Sequence, residues 1–270
     1  MTTVPYKGTP IFNEDGTFRK EDDKVQGRSY SSNLTKLLKQ LPKLQNLQEG
    51  KKASPVMAHI SLTNACNLTC SFCCFANRDI SEKMPTEKVF QALESFKAIG
   101  VTGVEFTGGG EPSIHPHFKE IVQYAKDLGF SLGICTNGAR FGANRPIKKD
   151  IVELFDWVRL GMYGFYEGYD YDLSIFEGTN CKPSAAYVWD ENLETSKNPN
   201  ITGEWSDVKN KRVLSKKFQT TENFIRMLDW IEENQIPCRI AFNAIKDVKE
   251  TEKDIETIRG IIEAYEKDRG

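Results

Sequence analysis

The feature that most constrains the fold is an alternation of strand-like and helix-like segments, which begins near residue 59 and continues almost to the C-terminus. The predicted strands are His59–Thr63, Gly103–Thr107, Leu132–Thr136, Trp157–Gly161 and Cys238–Ala244. Apolar residues at helical spacing predict helices over 86–99, 117–128, 148–155, 221–234 and 251–267. Strands that alternate with helices pair in parallel, with right-handed crossovers. The sequence therefore predicts an α/β fold on a parallel sheet, either an open doubly wound sheet or a partial barrel.

Two segments depart from this alternation. Residues 1–52 are polar and rich in turn residues, with a possible short amphipathic helix over 33–47, so we expect an N-terminal extension there. The stretch 163–220 is too long for an ordinary connection, is rich in aromatic residues and ends in a basic run. We interpret it as an insertion after strand four, either a lid over the site or a surface excursion. The core domain is then expected over 53–270.

Composition excludes several classes of protein. The formal net charge of the 270 residues is −2, which argues against a broad basic surface for nucleic acid. No apolar run approaches the roughly 18 residues of a membrane span, and the first residues lack the apolar core of a signal peptide. Four of the seven cysteines lie between residues 66 and 74. An odd, clustered set indicates a metal site in a reducing compartment, so we expect a cytoplasmic protein.

The cysteines Cys66, Cys70 and Cys73 form a C-x3-C-x2-C triplet in the loop after the first predicted strand. Three thiolates can hold three irons of a [4Fe–4S] cube and leave the fourth iron open to a small molecule, whereas a structural cluster normally takes four cysteines. The alternative is a zinc site, with the fourth ligand supplied by Cys74, His59, His115 or His117.

Two further loops follow neighbouring strands. Gly108–Pro112, a Gly-Gly-Gly-Glu-Pro segment, comes directly after strand two, and Thr136-Asn137-Gly138 ends strand three. Since function in parallel α/β folds lies at the carboxyl ends of the strands, the cysteine loop and these two loops are expected to meet on one rim.

Together these motifs resemble the radical S-adenosylmethionine (radical SAM) superfamily. The triplet, then Thr107-Gly-Gly-Gly-Glu-Pro112, His115-Pro116 and Thr136-Asn-Gly138 carry the resemblance, which covers roughly residues 56–250. It implies a partial (βα)6 barrel of parallel strands, of which five βα units are visible in the sequence. It also implies a [4Fe–4S] cluster that cleaves S-adenosylmethionine reductively, giving a 5′-deoxyadenosyl radical that abstracts hydrogen from a substrate.

The resemblance assigns roles to individual residues. Cys66, Cys70 and Cys73 would ligate iron. The cofactor-binding residues would be Phe72, Gly108, Gly109, Gly110, Glu111, Thr136, Asn137 and Asn243. The small polar residue that many relatives carry on strand four is absent, and Arg159 could take its place or form a salt bridge at the rim.

The substrate is left open by the sequence. Because the chain has no cysteine-rich C-terminal segment, a small molecule or nucleotide is favoured over a peptide, and the family implies an electron donor such as flavodoxin or ferredoxin. The alternative is a non-catalytic binding module stabilised by zinc or by a cluster.

Overall fold

The computed structural model describes residues 40–68, 70, 73–75, 78–142, 145–162, 171–189, 221–242 and 248–269. The chain divides into two compact units, Met1–Ser54 and Pro55–Gly270. In the first unit, helix α1 (Leu41–Gln48) begins with a proline in its first turn and overlaps the predicted helix over 33–47. Residues 33–39 lie outside the described residues.

The second unit is built on one six-stranded sheet. Its strands are β1 (Met57–Ile60), β2 (Gly103–Phe106), β3 (Ser131–Thr136), β4 (Trp157–Gly161), β5 (Lys182–Trp189) and β6 (Cys238–Phe242). Its helices are α2 (Thr86–Ala98), α3 (Phe118–Asp127), α4 (Lys149–Val152), α5 (Thr221–Asn234) and α6 (Val248–Arg269). Short 3₁₀ helices occupy Pro112–Ile114 and Leu173–Phe176.

All neighbouring strands are parallel, and their order in the sheet is their order in the chain. A doubly wound sheet reverses its strand order at a switch point, whereas right-handed crossovers without reversal place all helices on one face. The predicted α/β fold with a parallel sheet is therefore confirmed, and the sequential order is that of a partial barrel.

The position of the fifth strand corrects the sequence analysis. The stretch 163–220 was interpreted as an insertion, but β5 lies within it, so the segment predicted as strand five is β6. Strand β5 pairs with β4 and β6 along most of its length. Its signal is weak because the strand begins Lys-Pro-Ser, and a proline within a run argues against a central strand. Residues 163–170 and 190–220 lie outside the described part.

The hydrophobic core lies between the sheet and its helices. On β2, the side chains of Val104 and Phe106 are buried, and the Phe106 ring packs edge-on against Phe118 of α3 and against Phe155. On β5, Tyr187 and Trp189 are buried, and their rings lie 5.4 Å from that of Phe224 on α5. Alternate residues of each strand thus face the helices, and the residues between them face the other side of the sheet.

Within the described residues, no helix combines the length and apolar character needed to cross a membrane. The carboxyl ends of β1, β2 and β3 lie at the same edge of the sheet, because the three strands are parallel and adjacent. The fold therefore brings the cysteine loop, the glycine loop and the Thr136–Gly138 turn to one rim, as the sequence predicts.

Candidate active site

The glycine loop is hydrogen-bonded to the chain segment that leads into the cysteine triplet. The amide of Gly110 donates to the carbonyl of Thr63 (2.7 Å), and the amide of Glu111 donates to that of Ala65 (2.9 Å). A Cβ built on Gly110 would overlap the backbone of Ala65, so only glycine permits this approach. The approach fixes the start of the cysteine loop directly over the glycine loop.

The three cysteines lie in one short loop with local hydrogen-bond donors. The Cys66 sulfur accepts from the amide of Leu68 (3.5 Å), and the guanidinium of Arg78 donates to the Cys73 sulfur (3.5 Å). The amide of Cys73 donates to the carbonyl of Cys70 (3.0 Å), which makes a tight turn between two of the predicted ligands.

Burial raises the pKa of Cys66, and it raises that of Cys70 further. A cation bound by these sulfurs would offset the cost of forming buried thiolates. In the described ranges, no three Cys, His, Asp or Glu side chains converge on a position for a single metal ion. The three ligands of a cube bind three different irons, so their sulfurs need not converge on one point.

Arg78 is a site residue that the sequence analysis missed. Besides Cys73, its guanidinium donates to the backbone carbonyls of Asn64 (2.5 Å) and Phe75 (2.6 Å). These hydrogen bonds connect the start of the cysteine loop to its end, and they place a positive charge beside a predicted iron ligand. Its position five residues after the triplet was the only signal in the sequence.

Glu111 is buried and joins three segments of the rim. Its Oε1 accepts from the hydroxyls of Ser113 and Thr136 (both 2.6 Å) and from the Ser113 amide (3.2 Å), while its Oε2 accepts from the Asn137 amide (2.8 Å). Burial raises the pKa of Glu111, and the hydrogen bonds from these donors partly offset that rise. Both carboxylate oxygens thus accept hydrogen bonds from protein groups. Glu111 therefore positions the segments of the rim, a role that the sequence did not predict.

Thr136 and Asn137 are also engaged with protein partners. The Asn137 side-chain amide donates to Asn67 Oδ1 (2.8 Å) and approaches the Cys66 sulfur (3.8 Å), and its Oδ1 accepts from the Ala139 amide (3.0 Å). The structure therefore places both residues at the rim, as predicted, where they link β3 to Glu111 and to the cysteine loop.

Tyr171 is another residue of the site that sequence reasoning did not single out. Its buried hydroxyl donates to the carbonyls of Gly161 (2.9 Å) and Asn137 (3.2 Å). It thereby joins the end of β4 to the Asn137 turn. In the sequence it was only one of several aromatic residues in the predicted insertion.

Two predicted cofactor-binding residues, Phe72 and Asn243, lie outside the described residues. Of the others, Gly108 and Gly109 have positive φ angles of 77° and 52°, which turn the chain sharply at the end of β2. The predicted glycine loop is thus an unusual backbone segment at the rim, beside the cysteine loop.

The histidines considered as fourth zinc ligands have other partners or positions. His115 is buried, its Nε2 contacts the Met84 carbonyl (3.0 Å) and its Nδ1 accepts from the amide of His117 (3.2 Å), so both ring nitrogens are used. His117 Nδ1 lies 3.0 Å from Glu120, and His59 lies within β1 beside Glu105. Cys74 is exposed.

Comparison with known proteins agrees with this site. Residues 60–167, which include the triplet, the glycine loop and the Asn137 turn, match the family model of the radical SAM superfamily. The region of the chain that carries the candidate site therefore matches the radical SAM superfamily. Members of this superfamily use a [4Fe–4S] cluster and S-adenosylmethionine.

Curated relatives from the radical SAM superfamily have diverse activities. The chain is 35% identical over 98 residues to an S-adenosylmethionine-dependent nucleotide dehydratase of Selenomonas ruminantium, covering 36% of this chain and 35% of that protein. It is 32% identical over 146 residues to the 7,8-dihydro-6-hydroxymethylpterin dimethyltransferase of Methanocaldococcus jannaschii, covering 52% and 28%. The matches thus span about a third or less of these relatives.

Solved structures support the radical SAM fold. Streptococcus suis SuiB bound to S-adenosylmethionine superposes with a TM-score of 0.50 at 18% identity, covering 89% of this chain and 55% of SuiB. SuiB bound to its precursor peptide SuiA gives a TM-score of 0.51 at 16% identity, covering 92% and 55%. At these low sequence identities, the similarity to SuiB shows a shared fold.

Proposed function

We propose that the unit Pro55–Gly270 is a radical SAM enzyme that generates a 5′-deoxyadenosyl radical from S-adenosylmethionine to abstract hydrogen from a small molecule or nucleotide. Cys66, Cys70 and Cys73 would hold a [4Fe–4S] cluster, which when bound supplies the electron that cleaves the cofactor. The observation that carries the proposal is the pair of backbone hydrogen bonds from the glycine loop to the segment before Cys66.

The chain's own residues would position the cofactor and protect the site. Gly108 and Gly109 turn the glycine loop sharply at the end of β2, and backbone carbonyls of this loop would bind the ammonium group of S-adenosylmethionine. Glu111 would act chiefly through the backbone of this loop, because its carboxylate already accepts hydrogen bonds from Ser113, Thr136 and Asn137. The rim is therefore preorganised before the cofactor arrives, which is how proteins favour a single productive orientation.

A small molecule or nucleotide as substrate rests on two observations. The two curated relatives described above act, by their names, on a nucleotide and on a pterin. The cysteines outside the triplet, Cys74, Cys135, Cys181 and Cys238, are scattered over separate elements and are not arranged as a second cluster site. The enzyme would take its electron from a small redox protein such as flavodoxin or ferredoxin, in a reducing cytoplasm that keeps the thiols free.

The decisive experiment is anaerobic reconstitution with iron and sulfide, followed by addition of dithionite and S-adenosylmethionine. Release of 5′-deoxyadenosine, measured by chromatography, is expected from the wild-type protein and not from Cys70→Ala. Cys74→Ala is the matched control, because it makes the same substitution at an exposed cysteine next to the triplet and is expected to retain activity.

The zinc-stabilised binding module gives the opposite result. It predicts a colourless protein with one zinc per chain and no 5′-deoxyadenosine after reconstitution. Equal 5′-deoxyadenosine release from Cys70→Ala and wild type would also contradict the proposal, because the triplet would then be dispensable.

A further inference from the structure

A row of polar side chains crosses the sheet face opposite the helices, directly below the rim. We call His59, Glu105, Cys135 and Arg159 the polar row. The register of the sheet pairs His59 with Glu105 and Cys135 with Arg159, with one residue from each of β1 to β4. Their strand neighbours Val104, Ile134 and Val158 are buried among the helices, so the polar row faces the other side of the sheet.

The members of the polar row are in contact with one another. Glu105 Oε1 lies 3.8 Å from His59 Nδ1 and accepts a hydrogen bond from the Cys135 thiol (3.2 Å). Arg159 Nη1 donates to the same sulfur (3.6 Å). A carboxylate and a guanidinium are therefore brought together around one thiol, rather than scattered over the sheet.

The side of the polar row away from the rim is closed by a large aromatic residue. A Cβ on Gly133 would overlap the indole of Trp157, so this indole covers Gly133 of β3, and the guanidinium of Arg159 lies 5.3 Å from its ring. On the other side, Cys135 directly precedes Thr136 of the rim. A molecule that enters from the rim would meet the polar row as a floor.

The charged side chains of the polar row are incompletely paired with opposite charges. Among the described residues, no carboxylate lies within ion-pair distance of Arg159. The Glu105 side chain is 12% exposed, and its neighbour His59 is 60% exposed. The salt bridge considered for Arg159 from the sequence is thus not formed within the part described. Partly buried charges are costly unless a partner satisfies them.

We propose that Arg159 and Glu105 form the substrate-recognition floor of the site, where Arg159 binds an anionic group of a small polar substrate and Glu105 accepts a hydrogen bond from a neighbouring donor group. The planar fork of an arginine matches a carboxylate or a phosphate through two parallel hydrogen bonds. This assignment rests on the proposed function, since it places the substrate beside the cofactor rim. It makes Arg159 a specificity residue rather than a ligand of S-adenosylmethionine.

Binding without turnover tests the proposal. The reconstituted full-length protein, loaded with S-adenosylmethionine but not reduced, is titrated calorimetrically with the ribonucleoside mono- and triphosphates and, separately, with free amino acids and dicarboxylates. At least one probe from one panel is expected to bind, and the panel identifies phosphate or carboxylate as the recognised group. Arg159→Gln is expected to weaken that binding at least about tenfold, the loss typical of a charged hydrogen bond, and Arg159→Lys less.

The controls separate this proposal from structural and cofactor effects. Arg259→Gln makes the same change on the exposed surface of α6 and is expected to bind the probe as the wild type does. Glu105→Gln is the second variant and is expected to weaken the same probe. Lack of binding by every probe, or equal binding by the Arg159→Gln and Arg259→Gln proteins, would overturn the proposal. A parallel loss of S-adenosylmethionine affinity in Arg159→Gln would also overturn it.

Since the titration needs no reduction, failure of 5′-deoxyadenosine release would contradict the proposed function alone. Failure of the titrations with normal 5′-deoxyadenosine release would contradict only the assignment of the polar row.

Discussion

The side-chain amide of Asn137, at the carboxyl end of β3, donates a hydrogen bond to the side-chain oxygen of Asn67 inside the cysteine loop (2.8 Å). The same nitrogen lies 3.8 Å from the sulfur of Cys66. One amide thus ties the end of a central strand to the loop that carries the predicted iron ligands. The position of the first thiolate therefore depends on a residue 71 positions later in the chain.

Asn137→Asp should weaken retention of the cluster. The substitution replaces an N–H donor with a carboxylate oxygen facing the Cys66 thiolate and the Asn67 carbonyl, so attraction becomes repulsion. Loss of a group that orients a metal ligand typically costs about 10–100-fold in metal affinity. Iron and sulfide content after exposure to a chelator measures the effect. Asn234→Asp, at the end of α5, is the matched control, and equal iron loss from both variants would contradict the assignment.

Glu111→Gln should destabilise the protein, although the glutamine side chain has nearly the same shape as that of glutamate. The described groups that contact the carboxylate are all donors, from Ser113, Thr136 and Asn137, so a glutamine must turn an NH₂ group toward at least one of them. An unsatisfied buried donor costs about 1–3 kcal/mol, and we expect about 2 kcal/mol in the free energy of unfolding.

Urea denaturation measures the Glu111→Gln effect. The control is Glu153→Gln, which makes the same change at an exposed position and should change stability little. A Glu111→Gln protein as stable as this control would show that the rim does not depend on the carboxylate.

Much of the fold and of the site could be predicted from the sequence, because their signals are local. The predicted strand Trp157–Gly161 and helix Thr221–Asn234 have the same bounds in the structure, since their apolar residues recur at strand and at helix spacing. The meeting of the cysteine and glycine loops at one rim follows from parallel pairing alone. The alternation of strands and helices, the spacing of the motifs and the glycines of the loop predict this meeting without knowledge of any contact.

The rest depends on contacts between residues far apart in the chain. Strand β5 is identified by Tyr187 and Trp189 packing on Phe224 of a helix that begins more than 30 residues later, which no local pattern reports. The role of Tyr171, which bonds two carbonyls on different elements, is likewise visible only when β4 and the Asn137 turn are adjacent. The iron ligands could thus be predicted from the sequence, whereas most of the residues that position them could not.

Gly110→Ala should disrupt the junction between the glycine and cysteine loops. The new methyl group would overlap the Ala65 backbone, which cannot move without breaking the hydrogen bond from Glu111 to the Ala65 carbonyl. Overpacking of this kind costs about 1–3 kcal/mol. We expect a lower urea midpoint together with poor cluster assembly.

Gly260→Ala provides a matched control for Gly110→Ala. A Cβ at Gly260, inside α6, meets nothing within 4 Å, and alanine in a helix is up to about 1 kcal/mol more favourable than glycine. The same substitution should therefore stabilise the protein at one position and destabilise it at the other. A Gly110→Ala protein with wild-type stability and iron content would exclude close approach as the reason for this glycine.

His115 should make stability depend on pH in the mildly acidic range. Burial lowers the pKa of His115 below its ordinary value of 6.5, and its ring is held as the neutral form, with Nε2 donating to Met84 and Nδ1 accepting from the His117 amide. Protonation would place a donor at Nδ1 against another donor. The unfolded chain therefore binds the proton more readily, and stability must fall as pH drops below about 6.5 toward the folded pKa.

Urea midpoints measured at pH 7.5 and at pH 5.5 test the His115 prediction. The wild-type protein should lose more stability between the two pH values than His115→Gln does, because the variant has no imidazole to protonate. The His117→Gln variant keeps the buried ring and replaces only an exposed neighbour, so it should retain the wild-type loss. If the His115→Gln protein shows the same pH dependence as the wild type, the loss arises from other groups, and the buried ring is not held neutral by its two hydrogen bonds.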